Sequence, residues 1–388
     1  MAMTLSKVSL LVLALLGFYT LWVFPYKNGL LKILGHQTEP GAVIPGPTIA
    51  PMKQTYTGIR PVDNQLTVLV SFFYTAIDGN RADISLSFLA LGGQVLGLWV
   101  LIMVESLRNA HRGMFFLTAT TLLGLGVAII GYACVTPLWF ILHLWTSPTV
   151  VRPKADHLLV NIPIMLAIIP VSISLGFGLP SVLMTLPAPS FITFETKQIF
   201  AAIQQGWALW IGISQFSLST LAMIFDPAAS VLDEEEKRVK TIKYLRGVYL
   251  FSILSSSVPH LAGLSLSLLA YAFPVLFSPT YLPQLQPQQI YWPVNPFSSQ
   301  EVRTLPEGAL WFLQWDLIVT VAANLVWGMS VGASGREQRS TIAQTLIGLG
   351  QTVITTLVLG PSAAVAFSLW SRDELVFRSS TAVGKKHQ

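Results

Sequence analysis

Eight runs of this chain are long and apolar enough to cross a bilayer as helices, a passage that takes ~20 residues. They fall at 8–24, 84–104, 114–134, 158–186, 199–225, 248–277, 309–331 and 341–370, the third continuing through TPLWFILHLW. A ninth run, 66–77, is too short to cross and is bracketed by Asp63 and Asp78, which predicts a short re-entrant or interfacial helix. The fold class that follows is an all-α integral membrane protein, with about eight transmembrane helices plus that short element. Only 11% of the 388 residues are charged, against about 25% in soluble globular chains, and the shortfall points the same way.

The runs and their connections make a single polytopic domain over 1–388. A Pro- and Gly-rich surface loop lies at 26–62, a charged linker at 226–246, a Pro-rich loop at 278–308 and a polar tail at 371–388. The first run is expected to be a retained anchor, because Pro25-Tyr26-Lys27 follows it in place of a small-residue cleavage site. The net charge of +5 is spread over loops beside the runs, which suits lipid headgroups and excludes a nucleic-acid partner. One cysteine, Cys134, excludes a disulfide framework and a cysteine metal site within the chain. The tail ends Lys385-Lys386-His387-Gln388, like a dilysine retrieval signal, so the endoplasmic reticulum membrane is the expected location. That signal needs a cytosolic tail, whereas the Lys and Arg of the loops favour outside termini, so orientation stays open.

Candidate chemistry rests on acids delivered to the membrane. Helical spacing puts Asp63, Thr67, Val70, Tyr74 and Asp78 on one face, and Ser87, Gln94 and Glu105 on one face of the next run. Asp316 stands about two turns inside an apolar run, where a charge costs at least ~2.5 kcal/mol, so it should be neutral, paired or facing a cavity. Asp63, Asp78, Glu105, Asp316 and Tyr74 are therefore the catalytic candidates. Phe73, Trp99, Gln94, Gln204, Trp311 and Trp315 are the candidates for substrate binding. Plainer roles compete: acids at run ends are often solvated, Trp and Tyr gather in interfacial belts, and a buried acid often only fixes packing. His143, beside Trp139 and Trp145, reads as an interfacial residue. The seam of Gln204, Ala208, Ile211, Gln215 and Ser219 and the groove of Ser252, Ser256, Pro259, Gly263 and Ser267 suit either close helix packing or a cavity.

An acid in a water-poor pocket walled by electron-rich rings is what protonation-started polyene or epoxide cyclisation requires. Neither DDxxD nor DxDD occurs, and no P-loop, GxGxxG or HExxH is present. Asp78 and Asp83 are spaced to hold a cation and a diphosphate, but Arg81 between them opposes a metal.

The segments GIRPVDNQLTVLVSFFYTAIDG at 58–79 and GGQVLGLWVLIMVESLR at 92–108, with the layout of about eight spans, resemble the membrane-bound terpene cyclases of fungal meroterpenoid and indole-diterpene pathways, of the ascofuranone and ascochlorin cyclase type. The resemblance implies a metal-independent isomerase or lyase with no cofactor. It would act on a prenylated small molecule in the lipid bilayer after epoxidation of the terminal double bond, with other enzymes of the same pathway as partners. No residue is carried over from the family. Two other readings stand beside it: an intramembrane prenyltransferase using Asp78 and Asp83 with magnesium, and a transporter of a secondary metabolite.

Overall fold

The computed structural model describes residues 2–335 and 341–384, so the dilysine-like tail at 385–388 lies outside it. Its regular elements are helices, and the β pairing among the described residues amounts to two isolated bridges. In chain order the principal helices are α1 (Met3–Lys27), α2 (Leu30–His36), α3 (Arg60–Ile77), α4 (Ala82–Ser106), α5 (Thr120–Ile130), α6 (Tyr132–Thr146) and α7 (Ile164–Thr185). They continue with α8 (Phe194–Gln205), α9 (Trp207–Phe225), α10 (Glu234–Ala272), α11 (Leu305–Ser334), α12 (Ile342–Leu359) and α13 (Pro361–Gly384).

Among the described residues six helices, α1, α4, α7, α9, α10 and α11, are long and apolar enough to cross a membrane. The other two expected crossings are each broken at a glycine. Gly131, at φ 102°, ends α5 and starts α6, and Gly360, at φ 91°, separates α12 from α13. Residues with a Cβ rarely adopt such angles, so both breaks are written locally. The fifth run is divided too, at Gly206, into α8 and α9. The charged stretch before the sixth run is helical: Asp233 caps α10 by accepting the Glu236 N–H at 2.7 Å, and Glu234, Glu235 and Glu236 occupy the positive first turn. The 39 residues of α10 rise about 58 Å, so its charged start projects well beyond the apolar part.

The buried axis of the bundle is α4, which packs most extensively on α10. Gly93 and Gly97, four apart, let α10 approach so closely that a Cβ on either would lie 2.7 Å from Pro259 or 2.8 Å from Ser256. Ser252 Oγ donates to the Gly97 carbonyl at 2.8 Å, so the small-residue groove of α10 serves helix contact here. Gln94 joins three helices: its Nε2 donates to the Ser256 carbonyl at 3.2 Å, and its Oε1 accepts the Ser362 N–H at 2.9 Å. The seam of α8 and α9 divides. Ala208, Ile211 and Gln215 pack on α5 and α7, whereas Gln204 turns to a cavity.

Candidate active site

The site begins with the break at Gly131. A helix that stops inside an apolar bundle frees carbonyls at one end and N–H groups at the other, and each needs a partner. Trp22 Nε1 donates to the Ile130 carbonyl at 2.9 Å. On the other side Ala133, in the first turn of α6, donates its N–H to Asp316 Oδ1 at 2.7 Å, and Thr320 Oγ1 reaches the same oxygen at 3.4 Å. Asp316 is thus buried against the positive end of a helix, the place that best tolerates an anion.

Asp316 stands in the wall of an apolar cavity of about 320 Å³, lined by α2, α3, α4, α5, α8 and α11 together with parts of α1, α6, α7 and α9 and open on one side. It is the one carboxylic acid among the lining residues. Rings make much of the remaining wall: Phe72, Phe73, Phe88, Tyr132, Trp207 and Phe312. Phe72 meets Phe73 and Phe312 edge-on at 5.0 and 5.1 Å, and Tyr132 stacks on Trp207 at 6.1 Å. Two π-helical turns, Tyr19–Val23 and Ser174–Gly178, bring Leu21, Trp22 and Phe177 to the wall, the kind of irregularity that often marks a functional site.

The roof of the cavity is α3, and its two faces separate the expected residues. At 100° per residue, Gln65, Val68, Leu69, Phe72 and Phe73 look into the cavity, while Asp63, Thr67, Val70 and Tyr74 occupy the opposite, more deeply buried face. Asp63 accepts the N–H groups of Thr57 at 2.7 Å, Gly58 at 3.0 Å and Tyr56 at 3.1 Å, and the Thr57 hydroxyl at 2.9 Å. The Thr57 backbone N–H above all holds its carboxyl below the usual carboxylate range. Asp63 is therefore neither solvated nor in the cavity; it folds residues 56–58 onto α3. Asp78 caps the far end and accepts Asn80 N and Nδ2, each at 2.8 Å. Tyr74 is buried in the apolar cluster beneath the surface loop.

Glu105 lies elsewhere again, in a fully buried ionic knot. Its Oε1 accepts Arg372 Nη2 at 2.7 Å and more distant Arg108 donors at 3.4 Å, and its Oε2 accepts Thr149 Oγ1 at 3.0 Å and His143 Nε2 at 3.2 Å. Asp373 takes Arg108, Arg372 Nε at 2.8 Å and Tyr249 Oη at 2.7 Å. Glu105, His111 and His143 place donor atoms within 4.8 Å of one another, a metal-like grouping. The Trp327 indole is donor-only and sits 3.2 Å from His143 Nδ1, so that nitrogen accepts and Nε2–H points at Glu105. Both ring nitrogens of His143 and both oxygens of Glu105 are spent, and two guanidiniums already balance the acid, so the trio does not fit a cation. The connection that follows α4 joins the knot: Arg108 and His111 are fully buried.

Of the candidate binding residues, Phe73 and Gln204 line the cavity. Trp99 meets Trp207 edge-on at 4.7 Å from behind the wall, and Gln94 is the helix staple described above. Trp311 stacks on Phe24 at 6.2 Å, and Trp315 Nε1 donates to the Val294 carbonyl at 3.0 Å. The structure therefore brings Asp316, Phe73 and Gln204 to one chamber, and leaves Asp63, Asp78, Tyr74, Glu105, Gln94, Trp99, Trp311 and Trp315 outside it. Tyr132, Phe88, Phe312 and Gln65 complete the wall without having been singled out, although Phe312 shares the helical face of Asp316.

Fold and cavity together define a class: an all-helical protein, with helices apolar enough for a bilayer, enclosing a ring-lined chamber with a single buried acid in its wall. The chain belongs to the CtvD family, whose domain model matches residues 6–377. It is similar to terpene cyclase ctvD of Aspergillus terreus, with 26% identity covering 96% of this chain and all of the relative. Terpene cyclase ascI of Acremonium egyptiacum is 26% identical over 98% of this chain and 94% of its own length. Terpene cyclase atmA of Aspergillus flavus is 28% identical over 82% of each. No solved structure matches.

Proposed function

We propose that this chain is a membrane-bound terpene cyclase that closes an epoxidised prenyl substrate into a cyclic product, with Asp316 as the proton donor. Its relatives are named terpene cyclases, and the observation that carries the mechanism is that Asp316 is the sole acid in the wall of an apolar, aromatic cavity. In the proposed reaction the Asp316 carboxyl gives its proton to the epoxide oxygen and the C–O bond to the tertiary carbon breaks. An alkene or a hydroxyl of the substrate then attacks the resulting cation. The faces of Phe72, Phe73 and Phe312 would steady positive charge without reacting with it. Ala133 N–H and the start of α6 would stabilise the carboxylate left behind. That carboxylate would recover the proton released at the last step, so the reaction is an isomerisation needing neither metal nor co-reactant. Tyr74, facing away from the chamber, has no part in it.

The same reading places the chain in the endoplasmic reticulum membrane with eight crossings: the six long helices, the broken pair α5 and α6, and the pair α12 and α13 divided at Gly360. The amphipathic α3 would lie at the interface over the chamber. Microsomes containing this protein alone, given a terminally epoxidised farnesyl phenol with and without chelator, test the proposal. Cyclisation in both conditions, lost in Asp316→Asn, is expected. Dependence on magnesium would favour the prenyltransferase reading, and full turnover by Asp316→Asn would remove the acid from the mechanism.

A further inference from the structure

Among the described residues, the cavity wall contains one fully buried side-chain polar atom without a hydrogen-bond partner. Gln204 is 5% exposed, belongs to the lining, and its Oε1 has no hydrogen-bond partner among the described residues. Other buried atoms also lack partners, but none of their residues lines this chamber. The neighbouring Gln205, by contrast, ties its amide to the Ala201 carbonyl at 3.1 Å. A buried amide oxygen without a donor costs free energy that a hydrogen bond would recover, so a site keeping one is prepared for a partner that arrives with the ligand.

The position of Gln204 gives that partner a place relative to the acid. Asp316 is held by Ala133, next to Tyr132; Tyr132 stacks on Trp207; and Trp207 starts α9 just past the Gly206 break that ends the helix carrying Gln204. One stretch of wall thus runs from a proton donor, across two aromatic rings, to a hydrogen-bond acceptor. A purely hydrocarbon chain would use the first and leave the second unpaired.

Resting on the cyclase reading above, the geometry points to Gln204 as the specificity residue that accepts a hydrogen bond from an O–H or N–H on the unreacting end of the substrate. On the prenylated substrate already proposed, the amide then decides which end of the molecule meets Asp316. A site built around such a bond rejects the analogue that lacks it, because the acceptor is then desolvated for nothing.

The test uses binding, so that it does not depend on turnover. A farnesyl phenol and the same compound with hydrogen in place of the hydroxyl are titrated against the full chain in detergent or nanodiscs, following quenching of tryptophan fluorescence. Wild type is expected to prefer the phenol by about tenfold. Gln204→Met, which keeps length and apolar contact, should bind the two within about twofold, with Gln204→Leu as an independent second variant. Asp316→Asn should keep the wild-type preference; if it also keeps full turnover, the acid assignment fails while the role of Gln204 stands. Equal binding of both compounds by wild type, an unchanged preference in both Gln204 variants, or loss of both ligands by those variants overturns the inference.

Discussion

Ala133 donates its backbone N–H to Asp316 at 2.7 Å, and can do so only because the helix it belongs to begins one residue earlier. In an unbroken helix that N–H would be spent on a carbonyl four residues back. The interruption at Gly131 thus creates the donor that holds the acid.

Gly131→Ala should accordingly cost more activity than its size suggests. Ala at φ 102° is strained by about 1–2 kcal/mol, and its Cβ would sit 2.6 Å from Leu21 Cδ1. A lower Tm and a fall in kcat larger than the rise in KM are expected. Wild-type kcat in a stably folded variant would show that the break has no part in the chemistry.

Substitutions at Asp316 should separate the proton from the hydrogen bond. Asn keeps an oxygen for the Ala133 N–H, while Ala leaves that donor unpaired in an apolar site, a loss of about 1–3 kcal/mol. Both variants should lose turnover by about a hundredfold or more, the scale of a lost general acid. Thermal unfolding should rank wild type and Asn together and Ala below them; equal Tm for Asn and Ala contradicts the role given to Ala133.

Breaking the ionic knot should be a stability event. Arg372→Met leaves Glu105 buried with its closest cation gone, an imbalance of about 3–5 kcal/mol. Pairing it with Glu105→Leu should recover part of the loss, because an apolar pair carries no stranded charge. Denaturant midpoints of the single and double variants measure this, and a double variant no more stable than Arg372→Met alone would refute it.

His111, in the turn after α4, gives the fold an acid limit. Burial pushes its pKa down to about 4 from an ordinary value near 6.5. The unfolded chain then takes up a proton that the folded chain refuses, so stability present above pH ~6.5 is lost progressively as pH falls towards 4. The tautomer is set by its contacts: Nδ1 faces the Glu105 carbonyl and must carry the proton, leaving Nε2 to accept from Ser147 Oγ at 2.6 Å. His111→Gln should flatten the pH dependence of Tm between about 6.5 and 4. An unchanged profile would place the sensitivity elsewhere.

What the sequence made legible follows from the range of each signal. An acid isolated in an apolar run is visible at any distance from its partners, and Asp316 stands in the cavity wall. The stripe from Asp63 to Tyr74 does share a buried face of α3, but periodicity says which residues look together and nothing of what they look at; the chamber lies on the other side. Arg372 read as part of a polar tail because its partners are distant, and Arg108 likewise meets Asp373 across 265 positions. The break at Gly131 had a local sign, a glycine inside an apolar run, yet a lone glycine there is also compatible with a continuous helix.

That long reach has a bearing on how the protein is made. In the folded chain Glu105 and Arg108 meet only at 3.4 Å, and the groups that neutralise them well are translated much later, Arg372 267 positions after Glu105 and Asp373 265 positions after Arg108. A nascent or truncated chain ending before α13 carries a mismatched carboxylate and guanidinium in its most buried helix. Tightening of the bundle around α4 is thereby coupled to translation of α13, the helix that carries both missing partners.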